Sequence, residues 1–239
     1  MKRALVTGGS GCIGAAISRR LAADGLHVLI HAHKGLEVAQ ALAIEIVALG
    51  GSAEALHFDV TDGERVRANL EALLEADPIQ VLVNNAGIID DAVFPGMGEE
   101  QWRRVIDVSV NGFFNVTQPL TLPMLRTRWG RIVTITSVAA IIGNRGQVNY
   151  AAAKGALHSA TKSLSLELAS RGITVNAVAP GVIATPVSAT CFDEPAIRRI
   201  VPMQRAGRPE EVADLVGFLC SEQAAYITGQ IISINGGMA

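Results

Sequence analysis

Short β-branched apolar runs alternate with longer helical patterns along this chain, and that alternation constrains the fold more than any other feature. The candidate strands are 4–7, 27–31, 53–58, 80–84, 131–136, 174–179 and 231–235. Between them the patterns predict helices over 13–23, 36–49, 64–75, 101–126, 150–170 and 209–219. Regular βα alternation implies right-handed crossovers, and hence a parallel sheet with helices on both faces. Apolar residues make up 49 % of the chain and aromatics only 4 %, with Ala, Val, Ile and Gly plentiful, which suits strands buried from both sides. No linker, repeat or low-complexity segment interrupts the pattern, so residues 1–239 are expected to form one domain. The least regular stretch, 186–208, follows a strand and is a candidate lid over a site.

A formal net charge of −2 gives no reason to expect a nucleic-acid or anionic-membrane partner. Three cysteines, Cys12, Cys191 and Cys220, show no metal-ligand spacing and read as free thiols in a reducing, cytoplasmic compartment. The N-terminus enters a strand at once, which leaves no room for a signal peptide, and no apolar run reaches a membrane-spanning length.

The first strand runs into Thr7-Gly8-Gly9-Ser10-Gly11-Cys12-Ile13-Gly14 and then a helix. Such a turn aims backbone N–H groups and the positive helix end at a pyrophosphate, and Gly9, Gly11 and Gly14 satisfy G-x-G-x-x-G in the right context. The fold class is therefore a single-domain doubly wound Rossmann α/β fold of about seven parallel strands. After the second strand an acidic residue would accept bonds from the adenine ribose 2′-hydroxyl. This chain has Ala32-His33-Lys34 instead, and Lys34 with His33 can receive a 2′-phosphate, which predicts NADPH over NADH. The alternative is that Lys34 is a solvated loop charge. Asp59-Val60 and Asn84-Asn85-Ala86-Gly87 fall at the carboxyl ends of strands, where ligands sit in open α/β sheets. Asp59 can meet an adenine amino group and Gly87 lets the backbone approach a ligand, although either can be turn chemistry.

Tyr150 and Lys154 are four residues apart in an Ala-rich helical segment, so one helix face carries both. A neighbouring ammonium favours the phenolate, so the pair can move a proton to or from a substrate oxygen. Ser137 lies thirteen residues upstream of Tyr150, at the end of an apolar strand, where a hydroxyl can hold a carbonyl.

With these residues placed, the chain resembles the short-chain dehydrogenase/reductase family over nearly its whole length. The resemblance rests on the Gly-rich turn at 7–14, Asn84-Asn85-Ala86-Gly87, Ser137, Tyr150-x-x-x-Lys154 and Pro180-Gly181-Val182-Ile183-Ala184-Thr185, in that order. Within the family it is most similar to 3-oxoacyl-(acyl-carrier-protein) reductases, through Gly143–Tyr150, Ser170–Asn176 and the ending Tyr226-Ile227-Thr228-Gly229-Gln230…Asn235-Gly236-Gly237-Met238. The resemblance implies that Ser137 bonds the substrate carbonyl, Tyr150 donates the proton, and Lys154 binds the nicotinamide ribose and lowers the Tyr150 pKa. It implies that Ile183 and Thr185, after Pro180-Gly181, meet the carboxamide end of the nicotinamide, and that Asn85, Ala86 and Gly87 line the adenine-ribose side. It also implies a homotetramer, with Arg128 and Arg171 receiving an acidic carrier protein unless they are solvated helix ends.

Two departures from the family pattern stand out. Its middle turn glycine falls on Cys12, which is expected to weaken cofactor binding and to give an oxidation-sensitive thiol at a helix N-terminus. Its catalytic-site Asn falls on Ser109, whose backbone carbonyl is expected to hold the relay water to Lys154. The Ser109 hydroxyl is expected to bond locally without the amide that supports a kink. The leading reading is NADPH-dependent reduction of a 3-oxoacyl thioester carried on acyl carrier protein or coenzyme A. The alternatives are a reductase of another ketone (polyketide, steroid or sugar type) and a weakly catalytic cofactor-binding partner subunit.

Overall fold

Seven parallel strands form one sheet in the order β3-β2-β1-β4-β5-β6-β7. They are β1 (Arg3–Val6), β2 (His27–Ala32), β3 (Ser52–His57), β4 (Ile79–Asn84), β5 (Gly130–Ile135), β6 (Ile173–Pro180) and β7 (Ile231–Ile234). The computed structural model describes residues 1–186, 188 and 193–239, so the free-thiol reading of Cys191 and part of the expected lid lie outside the described residues.

The period-2 alternation of each strand serves two cores. Ala4 and Val6 of β1, Val81 and Val83 of β4, and Val133 and Ile135 of β5 face one layer of helices. That layer holds α1 (Cys12–Ala23) and α2 (Leu36–Ala48), joined by a late helix, Pro209–Cys220. Leu5, Leu82 and Ile132 face the opposite layer, formed by α3 (Gly63–Leu74) and two longer helices that follow β4 and β5. All nine of these strand side chains are at least 95 % buried, so these central strands have no wet face.

The sequence pattern predicts one helix over 101–126, and here the structure differs. α4 (Glu99–Ile106) passes into a π-turn over Asp107–Asn111, and α5 (Gly112–Thr127) follows. Gly112 explains the path, because a Cβ there would lie 2.9 Å from Val60 Cγ2. The break lets α5 close onto the segment after β3, where Asn115 Nδ2 donates to the Val60 carbonyl at 2.9 Å. A widened turn of this kind leaves carbonyls without a regular helical partner. Beyond β5 come α6 (Ala139–Ile142) and α7 (Val148–Leu168), and α7 supplies the rest of the second layer with Leu164 and Leu168.

The region read as a lid is partly regular. α8 (Glu194–Ile200) is capped by Asp193, which accepts from the Ala196 N–H at 2.8 Å. Val201 is buried, Met203 N–H donates to the Gly236 carbonyl, and Gly207 bridges to Ile183. α9 (Pro209–Cys220) then packs along α1. No described helix is long and apolar enough to cross a membrane.

Candidate active site

The sheet order reverses between β1 and β4, so their carboxyl ends open a crevice at the topological switch point. Thr7 ties its two sides together. Its hydroxyl accepts from the N–H groups of Asn85 and Ala86, at 2.9 and 3.0 Å. Asn85 returns the grip, its Nδ2 donating to the carbonyls of Thr7 and Gly8 at 2.9 and 3.0 Å. The Asn85 side chain thus holds the turn in shape, leaving its backbone, Ala86 and Gly87 along the crevice.

Among the turn glycines, the structure separates two kinds. Gly8 has a φ of +60° and Gly14 has no space for a Cβ, which would run into the Gly8 carbonyl and sit 2.8 Å from Asn85 Nδ2. Gly11 is open, its nearest neighbour to a Cβ being the Gly8 carbonyl at 3.5 Å. Ser10 is half-buried, while Gly11 and Cys12 are exposed. Ala15 N–H makes the first helical bond, to the Gly11 carbonyl at 2.7 Å, so the N–H groups of Cys12, Ile13 and Gly14 project from the end of α1. An open backbone cradle of this kind fits the pyrophosphate of a dinucleotide.

At the far end of the crevice His33 and Lys34 are exposed, and His33 Nε2 lies 3.5 Å from Asp59 Oδ2. Among the described residues Lys34 forms no ion pair, so its charge faces solvent. Asp59 Oδ1 accepts from the Thr61 N–H and hydroxyl at 2.9 and 2.8 Å. Burial pushes its pKa up, but the Thr61 bonds and the nearby His33 outweigh that and leave it lowered. Val60 is buried beneath it.

On the other side, β5 delivers Ser137 and α7 carries Tyr150 and Lys154. Lys154 is buried, its Nζ 2.9 Å from the Ile135 carbonyl and 5.7 Å from the centre of the Tyr150 ring. A Cβ on Gly87 would sit 3.1 Å from that Nζ, so the absence of a side chain at 87 lets the ammonium lie close to this backbone. Burial lowers the Lys154 pKa from 10.5 to about 8. Burial raises that of Tyr150, Ser137 works against this as a hydrogen-bonding partner, and Asp91 adds to it. The Lys154 ammonium is turned onto the Ile135 carbonyl, and burial is the largest influence on Tyr150, leaving its pKa raised. The phenol stays protonated at neutral pH.

For Ser109, only the expected local bond of its hydroxyl is corrected. It lies in the π-turn, which forms without the amide, while Asn111 Nδ2 closes onto Asp107 Oδ1 at 2.7 Å. The Ser109 hydroxyl makes no local bond. It is buried without a partner and lines a small cavity with Thr7, Asn84, Ala86 and Leu157. After β6, the side chain of Ile183 packs in the core, and Gly181 is held by close contact with Asn235, whose Cα would be 2.8 Å from a Cβ. Pro180 accepts from the Val138 N–H at 2.8 Å, tying this segment to the one bearing Ser137, and Thr185 bonds Ser188.

Arg128 and Arg171 are both exposed, and Arg128 Nη2 reaches the Ser170 carbonyl at 3.3 Å. They precede β5 and β6, so they stand at the amino edge of the sheet, roughly 20 Å of strand away from Ser137.

Two positioning residues lie in the Gly143–Tyr150 stretch, but the sequence did not show what they do. Asn149 is fully buried, donating to the carbonyls of Asp90 and Gln101 and accepting from the Tyr150 N–H at 2.8 Å. Gln147 donates to Asp91 at 2.9 Å and accepts from Asn144. Both depend on a loop some 55 residues earlier in the chain, so only long-range geometry brings them into view.

Comparison with known proteins agrees with this geometry. The family model described as enoyl-(acyl carrier protein) reductase matches residues 9–239. The chain is 45 % identical over 236 residues to the 3-oxoacyl-(acyl-carrier-protein) reductase FabG of Aggregatibacter actinomycetemcomitans, covering 98 % of each chain. It is 45 % identical over 237 residues to the 3-oxoacyl-(acyl-carrier-protein) reductase of Synechocystis, covering 98 % of this chain and 96 % of that one. It is 43 % identical over 241 residues to nodulation protein G of Azospirillum brasilense, covering 99 % and 98 %. With Ser137, Tyr150 and Lys154 gathered beside a dinucleotide cradle, the chain belongs to the short-chain dehydrogenase/reductase family and is an NAD(P)-dependent oxidoreductase of ketone and alcohol groups.

Proposed function

We propose that this enzyme reduces a 3-oxoacyl thioester, carried on acyl carrier protein or coenzyme A, to the 3-hydroxyacyl thioester with NADPH. The observation that carries this reading is the grouping of Ser137, a neutral Tyr150 and a buried Lys154 at the carboxyl edge of β5 and the start of α7. The reduced nicotinamide supplies the hydride. Ser137 donates a hydrogen bond to the ketone oxygen and fixes it beside Tyr150. The Tyr150 phenol, held protonated by burial, gives its proton to that oxygen as charge develops on it. Lys154 places a positive charge beneath the phenol, so the tyrosinate left behind is stabilised and reprotonated. Two hydroxyls aimed at one oxygen suit a C=O group, whereas reduction of a C=C bond needs its proton delivered to carbon.

Lys34 and His33, with no carboxylate in the segment after β2, support NADPH. The Ser109 carbonyl and the cavity beside it support a solvent path to Lys154. Arg128 and Arg171 support docking of an acidic carrier, and their place on the amino edge is consistent with serving a neighbouring subunit in a homotetramer. We place the enzyme in the cytoplasm.

Acetoacetyl-coenzyme A is expected to oxidise NADPH, followed by loss of the reduced-nicotinamide absorbance, with Tyr150→Phe costing roughly 10³-fold in kcat. Turnover of crotonyl-coenzyme A instead, or an active Tyr150→Phe, contradicts the assignment. Lys34→Glu is expected to lower kcat/KM for NADPH by about 10-fold or more while leaving NADH within about 3-fold, since it reverses a charge only the 2′-phosphate meets. Arg128→Glu with Arg171→Glu is expected to raise KM for the carrier-protein substrate while sparing the coenzyme A substrate; equal effects on both remove the docking role.

Lys154 also makes a stability prediction. Its folded-state pKa is depressed, so the burial penalty on the ammonium is complete below pH about 8 and is relieved between about 8 and 10.5, where only the unfolded chain holds the proton. Lys154→Met is expected to abolish turnover yet stabilise the fold at pH 7 by on the order of 2 kcal/mol, read by urea unfolding. That gap should narrow as the pH rises from about 8, and a gap that widens speaks against a buried charged lysine.

A further inference from the structure

His31 is the last-but-one residue of β2, is 1 % exposed, and is used by no step of the reaction. Its ring nevertheless touches two of the segments that line the cofactor crevice. Nδ1 lies 3.1 Å from the Gly8 nitrogen, and Nε2 lies 2.8 Å from the Phe58 carbonyl oxygen. The His31 backbone adds a third tie, its carbonyl accepting from the Gly9 N–H at 2.8 Å. The Phe58 ring packs on the imidazole with centres 4.0 Å apart.

These contacts settle the tautomer. A backbone N–H can only donate, so Nδ1 must be the bare, accepting nitrogen; a carbonyl can only accept, so Nε2 carries the proton. A doubly protonated ring would turn a donor onto the Gly8 donor.

We propose that His31, as the neutral Nε2–H imidazole, is a positioning residue for the dinucleotide: it fixes Gly8 in its left-handed conformation and locks the turn after β1 to the segment after β3. Gly8 is the pivot of that turn. Its carbonyl accepts from the Gly11 N–H and from Asn85 Nδ2, and it abuts Gly14 at the head of α1. Holding the Gly8 nitrogen therefore sets where the N–H groups of Cys12, Ile13 and Gly14 point. Phe58 leads directly into Asp59 and Val60, so the second bond of the same ring sets the adenine side. Neither contact involves the 2′-position, so the effect falls on NADPH and NADH alike.

Burial keeps the ring neutral, holding its pKa down at about 4; the charges of His33 and His57 act in the same direction, while the Phe58 carbonyl and Asp59 oppose them. Those are the titratable groups that face it, and the two histidines are themselves exposed.

The test is direct NADPH and NADH titration, with no turnover needed, of the wild type and of His31→Asn, His31→Gln and His31→Phe. Asn places an acceptor where Nδ1 lies; Gln places its amide where Nε2 lies. Losing the acceptor should weaken both cofactors by roughly 10-fold in Gln and Phe, with Asn retaining most of the affinity. In turnover the change is expected in KM for the cofactor, with kcat at saturation much less affected. Equal affinities for Asn and Gln, or losses that follow the melting temperature alone, overturn the proposal. A loss confined to NADPH does so too, since that is the mark of a 2′-phosphate effect. The imidazole nitrogen spectrum of the wild type supplies a reading that no variant can confuse. His31 should show the Nε2–H form without titrating between pH about 5.5 and 8, and a charged or Nδ1–H ring overturns the proposal. The role rests on the crevice being a nicotinamide-dinucleotide site. Failure of the wild type to bind either dinucleotide defeats that reading, whereas normal wild-type binding with unaffected variants defeats only the role of His31.

Discussion

The geometry of the site hangs on the hydrogen-bonded seam between the carboxyl ends of β1 and β4. Thr7 and Asn85 exchange side-chain and backbone bonds across it, and each satisfies backbone groups of the other strand's turn. Adjacent parallel strands whose connections run to opposite layers must part where they end, and an unfilled parting would strand polar backbone groups. Here the parting is held open and satisfied at once. One wall is the end of α1 with its outward N–H groups, and the other is the segment that leads from Asn85 to Gly87 and the buried ammonium of Lys154.

The catalytic side trades stability for chemistry. A buried lysine with a single carbonyl partner costs free energy, and the lowered pKa of Lys154 reflects that cost. Tyr150 is pushed the other way by the same burial, which keeps it an acid. The surrounding polar residues are arranged to hold this pair without neutralising it. Asn149 and Gln147 spend their amides on the 90–91 loop and on the start of α7, not on the phenol. The π-turn adds a buried, unpartnered Ser109 hydroxyl near the same crevice.

What could be read in the linear order of residues was whatever is local or strictly periodic. Short β-branched apolar runs marked the strands and their burial on both faces, and the βα order set parallel pairing. A glycine-rich turn between a strand and a helix marked the cradle, and the four-residue spacing of Tyr150 and Lys154 put them on one face of α7. These follow from backbone geometry, which neighbouring residues share. Three things were decided by the tertiary structure instead. The helix expected over 101–126 broke into α4, a π-turn and α5 because Gly112 must approach Val60, a contact between residues distant in the chain. Lys154 turned to Ile135, and burial became the largest influence on Tyr150, since electrostatics depends on depth and on neighbours from other elements. His31 meets Gly8 and Phe58 only because β1 and β3 settle on either side of β2 and bring them to opposite edges of its ring.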